Sequence, residues 1–500
     1  MADDESPTRY RFGPLERRGL VAGWRGGQIA AVATGLVVAV GILRLRPSPL
    51  GAVVAFTAVA AGVATATWPL RGRTAEQWAP DAARHVDVIR AQRKQQRRQP
   101  FATMVLLPVD LGATGVVGAR LGTATRQRGP SDNGQSAGVI HDVAGRTYTA
   151  VLRVSGPGFV LLGAADKARR VDAWAGVLAS LAREGTAVHR VQWIERSLPD
   201  DGAEVRRHIL ERAVVAADSV AHRSYAELVD GEVAAVHRHE VMLAVTVHAG
   251  HSARAVRAAG GGQRGACALL LRETASLARR LGEAGLDVAG TLAPGALADA
   301  VRRGFDADTA ARERSDGQDR MARSAPLRSP WPGPMGMLPE WGRLRTDATW
   351  HTTYWIAEWP RTDVGADFLG PLLLVSDIRR SVSVVMEPVG PLRAARRIEQ
   401  ARTADIADAE LRRRGGFLAT ARRRREEDVL VQREGELADG HASFRFSGYV
   451  TVSASDTDAL EEACGRVEQV AGQAGLELRR CYGDQALAFT CTLPFGRGLA

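Results

Sequence analysis

The sequence predicts an α+β protein in which an N-terminal two-helix transmembrane hairpin is followed by layered α/β cytoplasmic domains. Three observations predict it. No charged residue lies between Arg25 and Arg44 or between Arg46 and Arg71, and each interval can cross a bilayer core of about 30 Å as a helix. Arginine and lysine crowd both flanks of this region. Beyond Pro100, short runs rich in β-branched residues alternate with longer helical patterns, which argues for layered packing of sheet and helix.

The first 25 residues form a polar lead, with Asp3, Asp4 and Glu5 ahead of several arginines. The hairpin is expected over 26–70, and its turn, Arg44 to Pro49, is too short for anything but antiparallel helices. Arg9, Arg11, Arg17, Arg18 and Arg25 precede the first span and a denser basic run from Arg71 to Arg98 follows the second, against only Arg44 and Arg46 in the turn. The positive-inside rule therefore predicts a multi-pass cell-membrane protein with both termini in the cytoplasm. Two other readings compete. Arg17 and Arg18 give a loose twin-arginine look, but no cleavage site follows Leu43 and a second span comes at once. A buried hairpin in a soluble protein is the other, because both segments are rich in alanine and glycine.

The chain has 500 residues, 45% hydrophobic and 24% charged, which is ordinary globular composition with room for two or three domains beyond the hairpin. Its net charge of +10 is almost all arginine, with Lys94 and Lys167 the only lysines. Such a surface attracts anionic membrane lipids or nucleic acid without choosing between them. Cys267, Cys464, Cys481 and Cys491 contain no C-x-x-C pair and read as buried thiols in a reducing compartment.

A basic helix and linker are expected over 71–145, with the helix from Pro80 to Gln99. An α/β domain follows over 146–305. Its expected elements are strands at 146–155, 159–162, 188–196, 240–248 and 286–291, with helices at 166–183 (capped by Asp166), 203–228 and 267–282. Residues 306–345 read as a loop or linker rich in proline. A second α+β domain is expected over 346–500. It has strands at 349–358 and 381–387, a helical region from Leu392 to Asp428 broken at Gly415 and Gly416, and a closing unit of strand 443–454, helix 456–474 and strands 476–482 and 486–493.

Chemistry-bearing motifs are few. A Walker loop needs a lysine after its last glycine; Arg93 precedes Lys94 and Asp166 precedes Lys167, so a P-loop NTPase is excluded. Gly260 to Gly265 matches G-x-G-x-x-G, but residues 249–259 separate it from the preceding strand where a dinucleotide site needs a tight turn, so a mobile surface loop is expected. Gly134 to Gly138 matches G-x-S-x-G without a strand-to-helix turn, and a flexible loop is expected there too. His237, His239, His248 and His251 cluster in sequence, with no further ligand spacing to complete a metal site. Arg412 to Arg414 and Arg422 to Arg425 flank the expected helix break as one basic patch, a candidate contact for nucleic acid, lipid or a partner. No catalytic, cofactor or metal residues are assigned.

The hairpin with its basic flanks resembles the small two-span PrgI-type membrane proteins of conjugation systems. The body resembles the non-ATPase, CagE/TrbE-type domain of conjugative type IV secretion ATPases. The residues that carry this are the strand from Tyr148 to Gly156, Ser197-Leu198-Pro199, Trp359-Pro360, Ser381 to Pro388 and the closing unit through Leu493-Pro494. The chain is similar to a family of actinobacterial membrane proteins associated with such ATPases. The resemblance implies a non-enzymatic scaffold of a type IV secretion-like or conjugation machine that docks a separate secretion ATPase, and it is compatible with a homo-oligomer. The alternative is a membrane-anchored enzyme using the Gly260 loop for a nucleotide cofactor.

Overall fold

The computed structural model describes residues 26–45, 47–67, 103–111, 136–156, 158–199, 219–233, 237–306, 332–376, 378–414 and 440–499, with a few isolated positions. The chain divides into two compact units. One is the body, Met1–Gly13 with Gln99–Cys481 and Gln485–Ala500; the other holds Pro14–Arg98 with Tyr482–Asp484.

The second unit contains two apolar helices, α1 (Gly26–Leu45) and α2 (Pro49–Thr67), as the uncharged intervals require. Proline opens α2, where its missing N–H costs nothing, and Ser48 Oγ accepts the Gly51 amide at 3.1 Å. The helices meet at two glycines: a Cβ on Gly62 would lie 3.0 Å from the Ala31 carbonyl oxygen and 3.4 Å from the Gly35 Cα. Small residues at a crossing let backbones approach where lipid supplies no hydrophobic drive between helices. Gln28 Nε2 donates to the Ala66 carbonyl at 2.8 Å, tying α1 to the far end of α2. Leu36, Val37, Leu50, Val53 and Phe56 are exposed, the surface that a bilayer would cover.

The body is built on one antiparallel sheet. Its strands are β1 (Met104–Asp110), β2 (Ser136–Asp142), β3 (Thr147–Ser155), β4 (Val188–Pro199), β5 (His237–His248), β6 (Asp287–Thr291), β7 (Met337–Pro339), β8 (Leu344–Thr346), β9 (Thr349–Glu358), β10 (Arg379–Val389), β11 (Ser443–Ala454) and β12 (Glu477–Arg480). They run in the order β1-β2-β3-β5-β4-β10-β11-β9-β8-β7, with β6 beside β3 and β12 beside β9. The strands of 146–305 and of 346–500 thus belong to one sheet, joined where β4 pairs with β10 from Val191↔Met386 to Ser197↔Arg380.

Helices are α3 (Ala164–Leu181), α4 (Val220–Val233), α5 (Ala253–Ala258), α6 (Gly262–Glu283), α7 (Pro294–Phe305), α8 (Gly370–Leu373), α9 (Pro391–Arg414), α10 (Thr457–Gln473) and α11 (Gln485–Thr490). Period-2 alternation sends Leu152, Val191 and Val245 to one face, against Leu270 and Leu277 of α6. Further along, Val382, Val450 and Tyr354 meet Leu460 and Val467 of α10. On the other face Val151, Ile194 and Met242 pack against Leu297 and Val301 of α7, and against Phe489, Leu493 and Phe495 of the closing segment.

That second face is partly polar, and the closing segment satisfies it. Gln192, fully buried, donates through Nε2 to Ser383 Oγ and to the Cys491 and Leu493 carbonyls, while its Oε1 accepts the Gly496 amide at 2.8 Å. Thr451 Oγ1 lies 2.8 Å from both Thr353 Oγ1 and Thr492 Oγ1. The lead also belongs to the body: Tyr10 and Val364 exchange backbone hydrogen bonds of 2.9 and 3.0 Å, and Phe12 stacks on Trp359 at 5.2 Å.

Several expectations are corrected. Phe159–Leu161 is a 3-10 turn instead of a strand, and the N-cap of α3 is Gly163, with Asp166 in the first turn. Residues 485–490 are helical where a strand is expected at 486–493. The cause is Gln485: its side chain accepts the Thr353 amide at 2.8 Å and donates to the Thr353 carbonyl at 3.2 Å, taking the rung of β9 that an extended strand would use. Thr490 and Thr492 hydroxyls bond back to the Leu487 and Phe489 carbonyls. The break at Gly415 and Gly416, most of the 306–345 segment and most of the basic helix at 80–99 lie outside the described residues.

Replacing Gly62 with valine should force α1 and α2 apart, whereas valine at Gly41, which has nothing within 4 Å of its would-be Cβ, should not. Disulfide cross-linking of a Gln28→Cys, Ala66→Cys pair reads this directly: the yield should fall several-fold with Gly62→Val and hold with Gly41→Val.

Candidate functional site

The glycines of the G-x-G-x-x-G string build a helix junction. Gly260, Gly261 and Gly262 all have positive φ, the left-handed region that a side chain resists, and they turn the chain from α5 into α6. A Cβ on Gly265 would come within 2.3 Å of the Val256 carbonyl oxygen, so this glycine lets the two helices touch. Where a mobile surface loop is expected the chain makes a surface turn between two helices, packed closely at Gly265. The G-x-S-x-G string likewise has a packing role: Ser136 and Gly138 begin β2, and a Cβ on Gly138 would press on Leu297 and Pro294 of α7 at 2.9 and 3.0 Å. Gly134 and Gln135 are outside the described residues.

The four histidines do not converge, because β5 carries His237 and His239 at one end and His248 at the other. His239 Nδ1 lies 2.5 Å from Glu195 Oε1. His248 stacks on His251 at 4.1 Å, and both meet His189, the second residue of β4, which sequence reasoning missed. Burial, then Arg190, pushes the His189 pKa down to about 4. Among the described residues no group of three or more histidine, cysteine, aspartate or glutamate side chains is placed to hold a metal ion. Arg412 to Arg414 end α9, and Arg422 to Arg425 lie outside the described residues.

The strongest concentration of chemistry is one that the sequence did not single out. It sits where β4 and β3 end and β5 and β10 begin. Glu240 receives Arg153 at 2.9 Å and Arg303 at 3.0 Å, with Arg196 at 3.9 Å. On the opposite face Glu195 takes His239 and has Arg380 at 3.8 Å. Arg196 is only 2% exposed. Burial pushes the Glu240 pKa up, but Arg303, Arg196, Arg153 and Arg238 outweigh it and hold the group below the usual carboxylate range. Burial, with Arg303 adding to it, lowers the Arg196 pKa to about 10, so its guanidinium stays charged at neutral pH.

Beside these arginines is a small cavity of ≈ 20 Å³, lined among others by Arg196, Arg303, Gly304, His351, Arg379 and Ser453. Its wall is a row of cross-strand neighbours, since Arg379 pairs with Ser453 and Ser453 with His351. His351 is fixed on both ring nitrogens. Thr346 Oγ1 donates to the Phe305 carbonyl at 3.0 Å, so it accepts from His351 Nε2–H at 2.6 Å, and Nδ1 accepts from the Ser453 hydroxyl at 2.8 Å. Burial pushes the His351 pKa down to about 3, against weaker opposition from the Phe305 carbonyl and Asp306. A neutral imidazole with both nitrogens engaged orders the wall and has no proton to give near neutral pH.

A family model described as a putative type VII ESX secretion system translocon, EccE, matches residues 235–356, about a quarter of the chain. The matched stretch runs from β5 to β9 and contains Glu240, Arg303, Gly304 and His351 of the cluster, but not Arg196 or the hairpin. No curated protein matches the chain. Together with the two apolar helices, the match supports a component of a membrane secretion system. It conflicts with the type IV and conjugation terms, and it does not support the PrgI-type and CagE/TrbE-type resemblance in that form.

The buried histidine makes stability depend on pH. The folded pKa lies below the unfolded value of 6.5, so the contribution is complete above 6.5 and is lost as pH falls toward about 3. Between pH 7 and pH 5 the native protein should lose about 2 kcal/mol more unfolding free energy than a His351→Gln variant, measured by denaturant titration.

Proposed function

We propose that the protein is a non-enzymatic scaffold of a type VII secretion system at the cell membrane, held there by α1 and α2 and presenting its body to a separate secretion ATPase. The observation that carries this reading is the translocon-family match over β5 to β9, the stretch that supplies β5, one edge of the sheet and Glu240 and Arg303 of the buried charge cluster. Both glycine motifs have a glycine with a packing role in the body, which supports the scaffold reading over a cofactor loop or a nucleophile turn.

We place the lead and the body on the cytoplasmic side and the Arg44 to Pro49 turn outside. The bridge between Tyr10 and Val364 supports this, because residues that precede α1 and residues that follow α2 touch within one unit, which two crossings allow and one forbids. The excess of arginine on both flanks supports the cytoplasmic choice and an affinity for anionic lipid headgroups.

A thiol-reactive, membrane-impermeant label applied to intact cells should modify a Ser48→Cys variant and leave a Ser6→Cys variant untouched until the cells are opened; the reverse pattern would overturn the topology. Affinity purification in mild detergent should co-recover a P-loop ATPase, and repeated recovery of a membrane complex lacking one would remove the docking role.

A further inference from the structure

We propose that the cavity beside Arg196 takes one carboxylate group, held by the guanidinium groups of Arg196 and Arg303. Arg196 is buried at the edge of β4 and uses Nη1 on the Ala300 carbonyl at 2.8 Å, while its Nε and Nη2 make no hydrogen bond. Arg303 uses Nη2 on Glu240, and its Nε makes none. Buried guanidinium N–H groups left without acceptors are costly, so an acceptor at this place stabilises the fold.

The charge balance asks for an anion. Arg153, Arg196 and Arg303 converge on the carboxylate of Glu240, and Arg379 and Arg380 also line the cavity, so among the described residues here the guanidinium groups outnumber the carboxylates of Glu240, Glu195 and Asp306. Gly304 lets the cavity wall pack closely: a Cβ there would lie 2.3 Å from Leu493 Cδ2 and 3.0 Å from Arg196 Nη2. His351, neutral and bonded at both nitrogens, contributes neither charge nor a spare donor. The volume of ≈ 20 Å³ admits about one water-sized atom, so a bound anion seats one oxygen inside and keeps the rest of the group outside, which a small planar carboxylate does with less displacement of the wall than a tetrahedral phosphate. A carboxylate also matches the planar guanidinium fork. Glu240 Oε2, likewise without a hydrogen bond and 3.9 Å from Arg196 Nη1, leaves a single bridging water as the competing occupant.

The test uses the full chain in detergent at pH 7, with melting midpoints recorded in sodium chloride, sodium acetate and sodium phosphate at equal ionic strength, and with a short glutamate-terminated peptide added to the chloride buffer. Acetate, the peptide or both should give a saturable rise of about 2–4 °C over chloride, with phosphate giving none. A response to acetate points to a free small acid, and a response to the peptide alone points to a partner's carboxylate. Arg303→Gln should abolish the increment; if that variant does not fold, Arg303→Lys, which keeps the charge but loses the fork, should raise the half-saturating concentration. An equal rise with phosphate, a rise that never saturates, or no rise in native protein overturns the proposal and leaves water as the occupant.

Discussion

The pairing of β4 with β10 is the constraint on which the body depends. Between them they carry Gln192, Ile194, Arg196, Arg380, Val382 and Ser383, residues that face both layers of helices and hold the closing segment in place. Because strand side chains alternate with a period of two, a one-residue slip here would turn Gln192 into the apolar layer under α6 and bring Val191 against the Cys491 and Leu493 carbonyls. The polar ladder of Gln192, Ser383, Thr451 and Thr353 makes that slip expensive, since each member would lose a buried partner. Register, closing segment and charge cluster are therefore set by one strand pair.

Much of this architecture was legible in the sequence, and the places where it was not have physical causes. Strands 349–358 and 443–454 were readable to the residue because their alternation is long and their ends carry turn formers. Asp456 was legible as the start of a helix and does accept the Asp458 and Ala459 amides. The short helix at 485–490 was not legible, because the side chain that displaces the strand, Gln485, acts on a residue more than a hundred positions away. The pairing of β4 with β10 was hidden for the same reason: nothing local in either strand names its neighbour.

The charge cluster shows a different limit. Glu240 and Arg380 sit near the starts of β5 and β10, where a charged residue ordinarily marks the exit to solvent, and Glu195 and Arg196 lie inside β4. Only the sheet order brings the four together under α7 and the 373–375 carbonyls, with Arg380 donating to the Val375 carbonyl at 2.6 Å. A signal was present all the same, since Glu195 and Arg196 stand side by side inside a run that continues as strand to Pro199. Adjacent opposite charges within a continuing strand must face opposite layers, so at least one of them has to find its partner indoors.

The bridge from Tyr10 to Val364 closes a loop that contains the hairpin and most of the sheet. Such a closure has a very long sequence separation, and the entropy of bringing distant ends together must be met before the contact gives anything back. During synthesis the first residues can find their place only after β9 has emerged and folded, when α1 and α2 are long made. Until then Phe12 has no Trp359 to stack on, so residues made among the first dock among the last.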